Sequence, residues 1–409
     1  MGDANRVQVS YVQESTFGAK ETGSNLQITR LNSESLVHDK GTTVSEEMRS
    51  DRQISDIVRI GVSTSGDEPF ELSYGTYDDF LQAALLSSSW SSEVKISSAI
   101  TMSAASGDNS LNDSASGFGS FTVNQWVLVS GFTENPDENN GFKKILSATS
   151  AKLIFVNGAM VTEAVGDPVT VQMGGEITNG TTLVSYNIEK DFQDLSNVLA
   201  LFLGQTINTL NLDIPVDGII TGSWGFMGSE ETSLTTSAGT GYDAVTTTPV
   251  MTGANHVPSF MENYNEQGII SLAISLTNNL RTRMQVGTLG VVSMGTGTVE
   301  ITGTFSVYFE TAALYNKFLA HQDTSIALAV QDSQGSGYVI ELPAVVITTG
   351  TRSAGGINTD VIGEFGYSAK LSATEGTTIR IARFPIMSNF QGIVQATATV
   401  TGALSGTTG

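Results

Sequence analysis

Residues 70–90, FELSYGTYDDFLQAALLSSSW, pass from one secondary-structure period into another. Phe70, Leu72 and Tyr74 alternate with Glu71 and Ser73, the two-residue period of a half-buried strand. From Thr76 the period lengthens. Phe80, Ala84 and the Leu81–Leu85 pair put apolar side chains on one face of a short helix, expected over 77–86. Thr76 is the expected N-cap, and Asp79, three positions on, completes a capping box in its acidic form. Asp78 and Asp79 also suit the positive end of a helix.

The pattern returns at 304–320, TFSVYFETAALYNKFLA. Phe70 falls on Phe305, Leu72 on Val307 and Tyr74 on Phe309. Thr76 falls on Thr311, whereas Leu314 stands in the place of Asp79. A second match follows in the same order: PVDGIITG from Pro215 and PAVVITTG from Pro343 share Pro, Ile, Thr and Gly at matching places. Two ordered matches indicate a duplicated β domain. Between them, residues 116–175 change texture to short strands separated by Asn, Gly and Asp turns, enough for a small barrel or sandwich of their own. The expected fold is mainly β. A discontinuous first domain covers 1–115 and 176–245, an inserted β domain 116–175, and a second domain 246–409.

Elsewhere, residues 32–69 lack a sustained apolar period and read as a long loop, either mobile in solvent or ordered against a neighbour. QDLSNVLALFLG (193–204) reads as helical, 208–228 as two strands meeting at Pro215–Gly218, and 229–262 as a linker or long loop. Strands are expected over much of the remainder.

Composition narrows function. Acidic residues number 41 against 19 basic ones, for a net charge of −22, which opposes binding to nucleic acid. The absence of cysteine removes disulfides and thiolate chemistry. No apolar run is long enough to span a membrane, and the N-terminus matches neither a secretory signal nor a myristoylation motif. His38, His256 and His321 have no partners at metal spacing, and the acidic turn NPDENNG (135–141) does not follow a calcium-loop pattern. The glycines of GSWGFMGSE are not in P-loop or dinucleotide order, and no G-x-S-x-G elbow occurs. The pairs Glu46–Glu47 and Asp78–Asp79 are adjacent acids that do not face a common substrate. No enzyme chemistry and no cofactor are expected. An architectural role remains, in which paired β domains close a ring with half the chains otherwise needed.

The segments RQISDIVRIGVSTSGDEPFELSYGTYDDFLQAAL (52–85) and INTLNLDIPVDGIITGSWGFMG (207–228) resemble the tail tube proteins of long-tailed bacteriophages, in a layout similar over nearly the whole chain. The resemblance implies two tandem tube-like β-sandwich domains, each with a short flanking helix. It implies rings, here trimeric with pseudo-six-fold symmetry, stacked into a hollow virion tail tube. DNA would pass through the lumen without specific binding, and no membrane is involved. Expected partners are further copies of the chain, a tape-measure protein, and tail terminator or tip proteins, after synthesis in the host cytoplasm. Residues 32–69 would be the inter-ring or inter-subunit loop, with Glu46, Glu47, Arg49, Asp51 and Arg52 as its contacts. Strands near 54–63, 68–75, 285–293 and 298–309 would form the inner sheet. Helices 77–86 and 312–320 would pack outside it, and the insert would stand outward.

Three rival readings stay open at this point: another phage structural protein (capsid-associated, baseplate or head–tail connector), a hydrolase whose site forms only on folding, and a carbohydrate-binding adhesive module. Trp126 and Phe132 could form an aromatic platform for the last or belong to a core.

Overall fold

The computed structural model describes residues 2–354, 356–386 and 393–395. The chain is mainly β with short helices. Compactness divides it into a larger unit (residues up to Trp90, Glu176–Asn263 and Gln267–Ile381) and a smaller one (Ser91–Gly175, Tyr264–Glu266 and the described residues from Ala382 on).

The larger unit contains β1 (Val7–Gln13), β2 (Val37–Val44), β3 (Ile57–Glu71), α1 (Asp78–Ala84), β4 (Tyr186–Phe192), β5 (Leu199–Pro215) and β6 (Thr221–Gly228). It continues with β7 (Ser259–Glu262), β8 (Ser271–Thr277), β9 (Glu300–Tyr308), α2 (Ala313–Ala320), β10 (Asp323–Gln331), β11 (Gly337–Ala354) and β12 (Val361–Ala369). Antiparallel neighbours run β1–β4–β5–β6–β3–β2. They then run β7–β10–β11–β12–β9–β8, the same order six labels later. α1 follows β3 as α2 follows β9.

Local irregularities repeat as well. β5 bulges against β6 between Ile207 and Thr209, and β11 against β12 between Ile347 and Thr349. Opposite the bulges stand Gly225 and Gly366, where a Cβ would overlap the Oγ1 of Thr209 or Thr349. The ladder corrects the register read from sequence by two residues. Phe70 and Val307 occupy matching places, opposite Gly222 and Gly363, and Phe305 matches Glu68. Tyr74 and Phe309 lie just past the ends of their strands. Pro215 and Pro343 are not counterparts, because Pro215 ends β5 whereas Pro343 lies inside β11.

The two series join where Thr209–Pro215 of β5 pair with Ser271–Thr277 of β8. A continuous ribbon results, β2–β3–β6–β5–β8–β9–β12–β11. The halves also share one apolar core, from Phe70, Phe80 and Trp224 to Phe305, Ile347 and Phe365. Compactness therefore does not separate them at residue 245. Its densest part is aromatic: Phe70 stacks on Trp224 at 4.8 Å, and Phe80 meets Tyr11, Tyr186, Trp224 and Phe226 within 5.7 Å.

α1 forms, but without the expected cap. No side chain caps its N-terminus. Thr76 instead bonds Ser73 and Thr246, and Asp79 accepts from the Tyr11 hydroxyl at 3.0 Å. Asp78 accepts from Tyr338 at 2.6 Å. The helix is fixed by buried Phe80, Leu81, Ala83 and Ala84 and by these tyrosines.

Other expectations are corrected by pairing. Residues 32–69 hold the β2–β3 hairpin, and 229–262 contain β7 and a strand, Glu230–Leu234, bonded to β5. The apolar run in 193–204 enters β5 and is not helical. Its two faces are both buried, Leu201 and Leu203 against Ala238 and Phe202 in the main core, so it lacks the alternation of a one-sided strand.

The smaller unit begins at Ser91 and not at 116, because Val94–Ser98 and Ser110–Asp113 pair with Val169–Met173 and Lys152–Phe155. It has its own core, including Phe118, Val127, Val129, Ile145 and Leu153. Trp126 and Phe132 are 1% and 2% exposed, which places them in the interior and removes the aromatic platform. The acidic turn closes on Glu163, whose carboxylate accepts from the Thr133, Glu134 and Asn135 amides at 3.1 Å.

Phe80→Ala is expected to cost about 3–5 kcal/mol through lost transfer energy and a cavity, whereas Met48→Ala, at a side chain 98% exposed, should be neutral. Urea denaturation of the unassembled chain checks both.

Candidate assembly surfaces

The ribbon has two unlike faces. One carries Leu210, Leu212, Leu272, Ile274, Ile301 and Phe305 into the core, toward α1 and α2. The strand period puts the alternate residues on the other face. β8 shows the alternation without a break along Ser271–Thr277, with Leu272, Ile274 and Leu276 buried and the residues between them not. On this outer face Asn211 bonds its two cross-strand neighbours, Ser223 at 3.3 Å and Ser275 at 2.7 Å, and Ser271 meets Ser306 at 2.6 Å.

The outer face is mostly Ser, Thr and Gly. Its charged positions include Asp39 on β2, Asp67 and Glu71 on β3, Asp213 on β5, Glu300 on β9 and Glu364 on β12. No lysine or arginine occupies the alternate positions 63–71, 209–215, 221–227, 271–277, 300–308, 349–353 and 362–368. Short hydroxyl side chains, bonded to each other, leave the surface polar and low.

Two hairpins rise from corresponding places. The first is the distal part of β2–β3, where Val44 pairs with Ile57. At its tip Glu46, Glu47, Arg49, Asp51 and Arg52 are all exposed. Arg49 and Asp51 pair with each other at 2.7 Å, so that ion pair is local to the tip. The more unusual feature is apolar: Val44, Met48, Ile54, Ile57, Val58 and Ile60 are exposed on this one hairpin. The second hairpin joins β8 to β9, with Arg281–Arg283 paired to Ser293–Gly295. Residues 285–293, expected as an inner strand, are mainly its tip, where Met284, Val286, Leu289 and Val292 are exposed. The hairpins touch, the Val62 amide donating to the Leu289 carbonyl at 2.9 Å, and Ser229, just past β6, holds the second hairpin through its Oγ on the Val291 carbonyl at 2.8 Å. Sequence reading missed the second hairpin, although its place between β8 and β9 mirrors that of the first.

Beneath β3 lies a carboxyl that the sequence did not mark. Glu68 is fully buried opposite Trp224, where the second half has Phe305 stacked on Phe365. Neither Glu68 Oε1 nor Trp224 Nε1 has a hydrogen-bond partner among the described residues. Burial, reinforced by Glu34, pushes Glu68 up to about 8 despite the opposing pull of Lys190. Lys190 itself pairs with Glu34 and donates to the Leu36 carbonyl at 2.8 Å.

Among the described residues no group of His, Asp or Glu is placed to hold a metal ion. His256 Nδ1 accepts from the Thr252 amide at 2.9 Å, a turn contact.

A family model described as phage tail tube protein matches residues 4–369. No curated protein matches the chain. With nearly its whole length matched, the chain belongs to the phage tail tube family. It is a structural, non-catalytic component of the virion tail that self-assembles into the stacked rings of the hollow tube through which the genome passes. The rival readings, another phage structural protein, a hydrolase or an adhesive module, give way to this one.

The folded pKa of Glu68 lies above its unfolded value near 4.3, so the native state holds the proton longer. Stability should fall as pH rises from about 4 to about 8 and then level off, by on the order of 3–5 kcal/mol at most. Glu68→Gln should flatten this slope in urea titrations run across that range; an unchanged slope would place the titration elsewhere.

Proposed function

We propose that three chains close each ring of the tube, and that the outer face of the ribbon is its lumen wall. The observation that carries this reading is the composition of that face: hydroxyl side chains, scattered carboxylates and no base at the alternate positions named above. Duplex DNA binds proteins chiefly through cations that release its counterions. A wall with carboxylates and no cations offers no such contact and repels the phosphates at short range. α1 and α2, on the other side of the ribbon, would then face away from the lumen.

The repeated strand order supports a chain of two tandem tube domains, so that three copies supply six similar wall segments. The exposed apolar side chains of the two hairpins support a stacking role. A surface carrying Val44, Ile54, Ile57 and Ile60 on one projecting element gains from burial against a neighbour. The hairpins thus replace the single loop expected from sequence as inter-ring contacts, with Glu46, Glu47, Arg49, Asp51 and Arg52 at the rim of the first. A tape-measure protein inside the lumen, terminator or tip proteins at the ends, and synthesis in the host cytoplasm complete the reading.

Two double variants test it by electron microscopy and DNA capture. Ile57→Asp with Ile60→Asp should leave single rings and abolish tubes; tubes of ordinary length would remove the hairpin from stacking. Ser275→Lys with Thr302→Lys should leave tubes intact but make them retain duplex DNA at low salt, with release as salt rises; tubes that still retain no DNA would take this face away from the lumen.

A further inference from the structure

The ribbon ends in two open edges, and the chain contains an internal example of how such edges meet. At Thr209–Pro215, β5 is bonded on both sides, to β6 on one and β8 on the other. Farther up the strand, Leu199–Leu203 are also doubly bonded, to β4 and to Glu230–Leu234, which continues β6. β4 and β8 therefore follow one another along the same edge of β5.

β11 repeats half of this arrangement. Val345 and Val346 are bonded to both β10 and β12, so those strands lie on opposite edges. β12 continues along its edge to Ala354, as β6 does along β5. On the other edge β10 stops at Val346; the further strand bonded to β11, Arg380–Phe384, is tied by Arg380 to Glu341, which β10 covers from the opposite side, and among the described residues no ladder borders the β10 edge beyond Val346. The vacant place corresponds to the one that β8 fills on β5. The bulges at Ile207/Thr209 and Ile347/Thr349 fix the correspondence residue by residue, so that Asn211 matches Thr351 and Thr209 matches Thr349.

The missing strand is also present, at the other end of the ribbon. β8 pairs with β9 with Ser275 opposite Thr302, and β2 pairs with β3 with Val37 opposite Ser65. Thr302 and Ser65 hold the same rung, two residues before the partners of Gly366 and Gly225. Val37 is thus the counterpart of Ser275, and Asp39 of Thr277. β8 uses its second edge to bond β5, whereas the second edge of β2 carries no strand among the described residues.

We propose that the open edge of β11 receives β2 of a second copy of this chain, antiparallel, with Thr351 opposite Val37 and Thr349 opposite Asp39. This register is the internal Asn211–Ser275 and Thr209–Thr277 pairing carried over to the chain ends. It rests on the reading of the protein as a ring-former and specifies the joint of that ring. The joint is head-to-tail, since one chain's β2 can meet only another's β11, and such contacts make a ring where the rotation between copies closes. The segment entering β2 is ordered before a partner arrives: the Leu36 carbonyl is held by Lys190 at 2.8 Å and its amide by Glu34 at 3.0 Å. A strand fixed in advance loses less entropy on joining. Val37, half exposed at the free edge, would be covered in the joint.

The chain has no cysteine, so engineered pairs report cleanly. Directly opposed residues in an antiparallel pair have Cα atoms about 4.5–5.5 Å apart, within disulfide range, whereas a step of two residues opens this to about 7–8 Å. Val37→Cys with Thr351→Cys, oxidised after assembly, should give covalent dimers and a limiting covalent ring on non-reducing gels, at trimer by the stoichiometry proposed above. Asn211→Cys with Ser275→Cys should cross-link within one chain and confirms that the rung tolerates a disulfide. Val37→Cys with Ser353→Cys should stay largely unlinked. Rings seen by microscopy without a 37–351 cross-link, or with 37–353 linking better, would overturn the register while leaving the tube reading intact. Failure of the unmodified chain to form rings at all would overturn both.

Discussion

Everything in the larger unit depends on the ladder between β5 and β8. It joins the first strand series to the second as hydrogen-bonded neighbours, so the halves share one sheet and one core rather than meeting as separate bodies. The rungs pair Leu210, Leu212 and Ile214 with Leu276, Ile274 and Leu272 on the inner side, and Thr209, Asn211, Asp213 and Pro215 with Thr277, Ser275, Ala273 and Ser271 on the outer. Alternation at period two decides both faces at once: a slip of one residue would send leucines to the open face and hydroxyls into the core. The bulges opposite Gly225 and Gly366 secure this register, because only glycine leaves room for the threonine that crosses over it.

The unusual composition follows from that geometry. On the proposed lumen wall, a face that is polar without being cationic and carries few bulky side chains is served by threonine and serine, of which threonine is also a good strand former. Charged residues are only 15% of the chain, and acids exceed bases by 22. The few carboxylates on the outer face, Asp213, Glu300 and Glu364 among them, give it one sign. The aromatic residues are concentrated on the inner side, where Phe70, Phe80 and Trp224 anchor α1. Glu68 is the exception, a carboxyl occupying the place that Phe305 fills in the other half, with its pKa pushed up by burial.

Sequence showed the strand-then-helix unit and its recurrence, since both rest on local periodicity. It missed the register by two residues because Phe70 and Phe305 look alike, while the ladder is set by their partners Gly222 and Phe365. The Pro215 and Pro343 match failed because short β segments share Ile, Thr and Gly wherever they lie. The Thr76–Asp79 cap was plausible locally, but Thr246 and Tyr11, distant in sequence, claim those side chains. The β2–β3 hairpin was hidden because both faces of its outer part are exposed, leaving no apolar alternation to read. The assembly surfaces were the least legible feature, being defined by which edge of a strand lacks a neighbour.

A helical reconstruction of the assembled tube by electron cryo-microscopy tests the central claim most directly. The expected density shows a lumen lined by the ribbon face bearing Asp213, Glu300 and Glu364, with α1 and α2 on the far side of the wall and six similar but non-identical segments in each ring. A lumen lined by the helices, by the smaller unit, or by a face rich in lysine and arginine would contradict it.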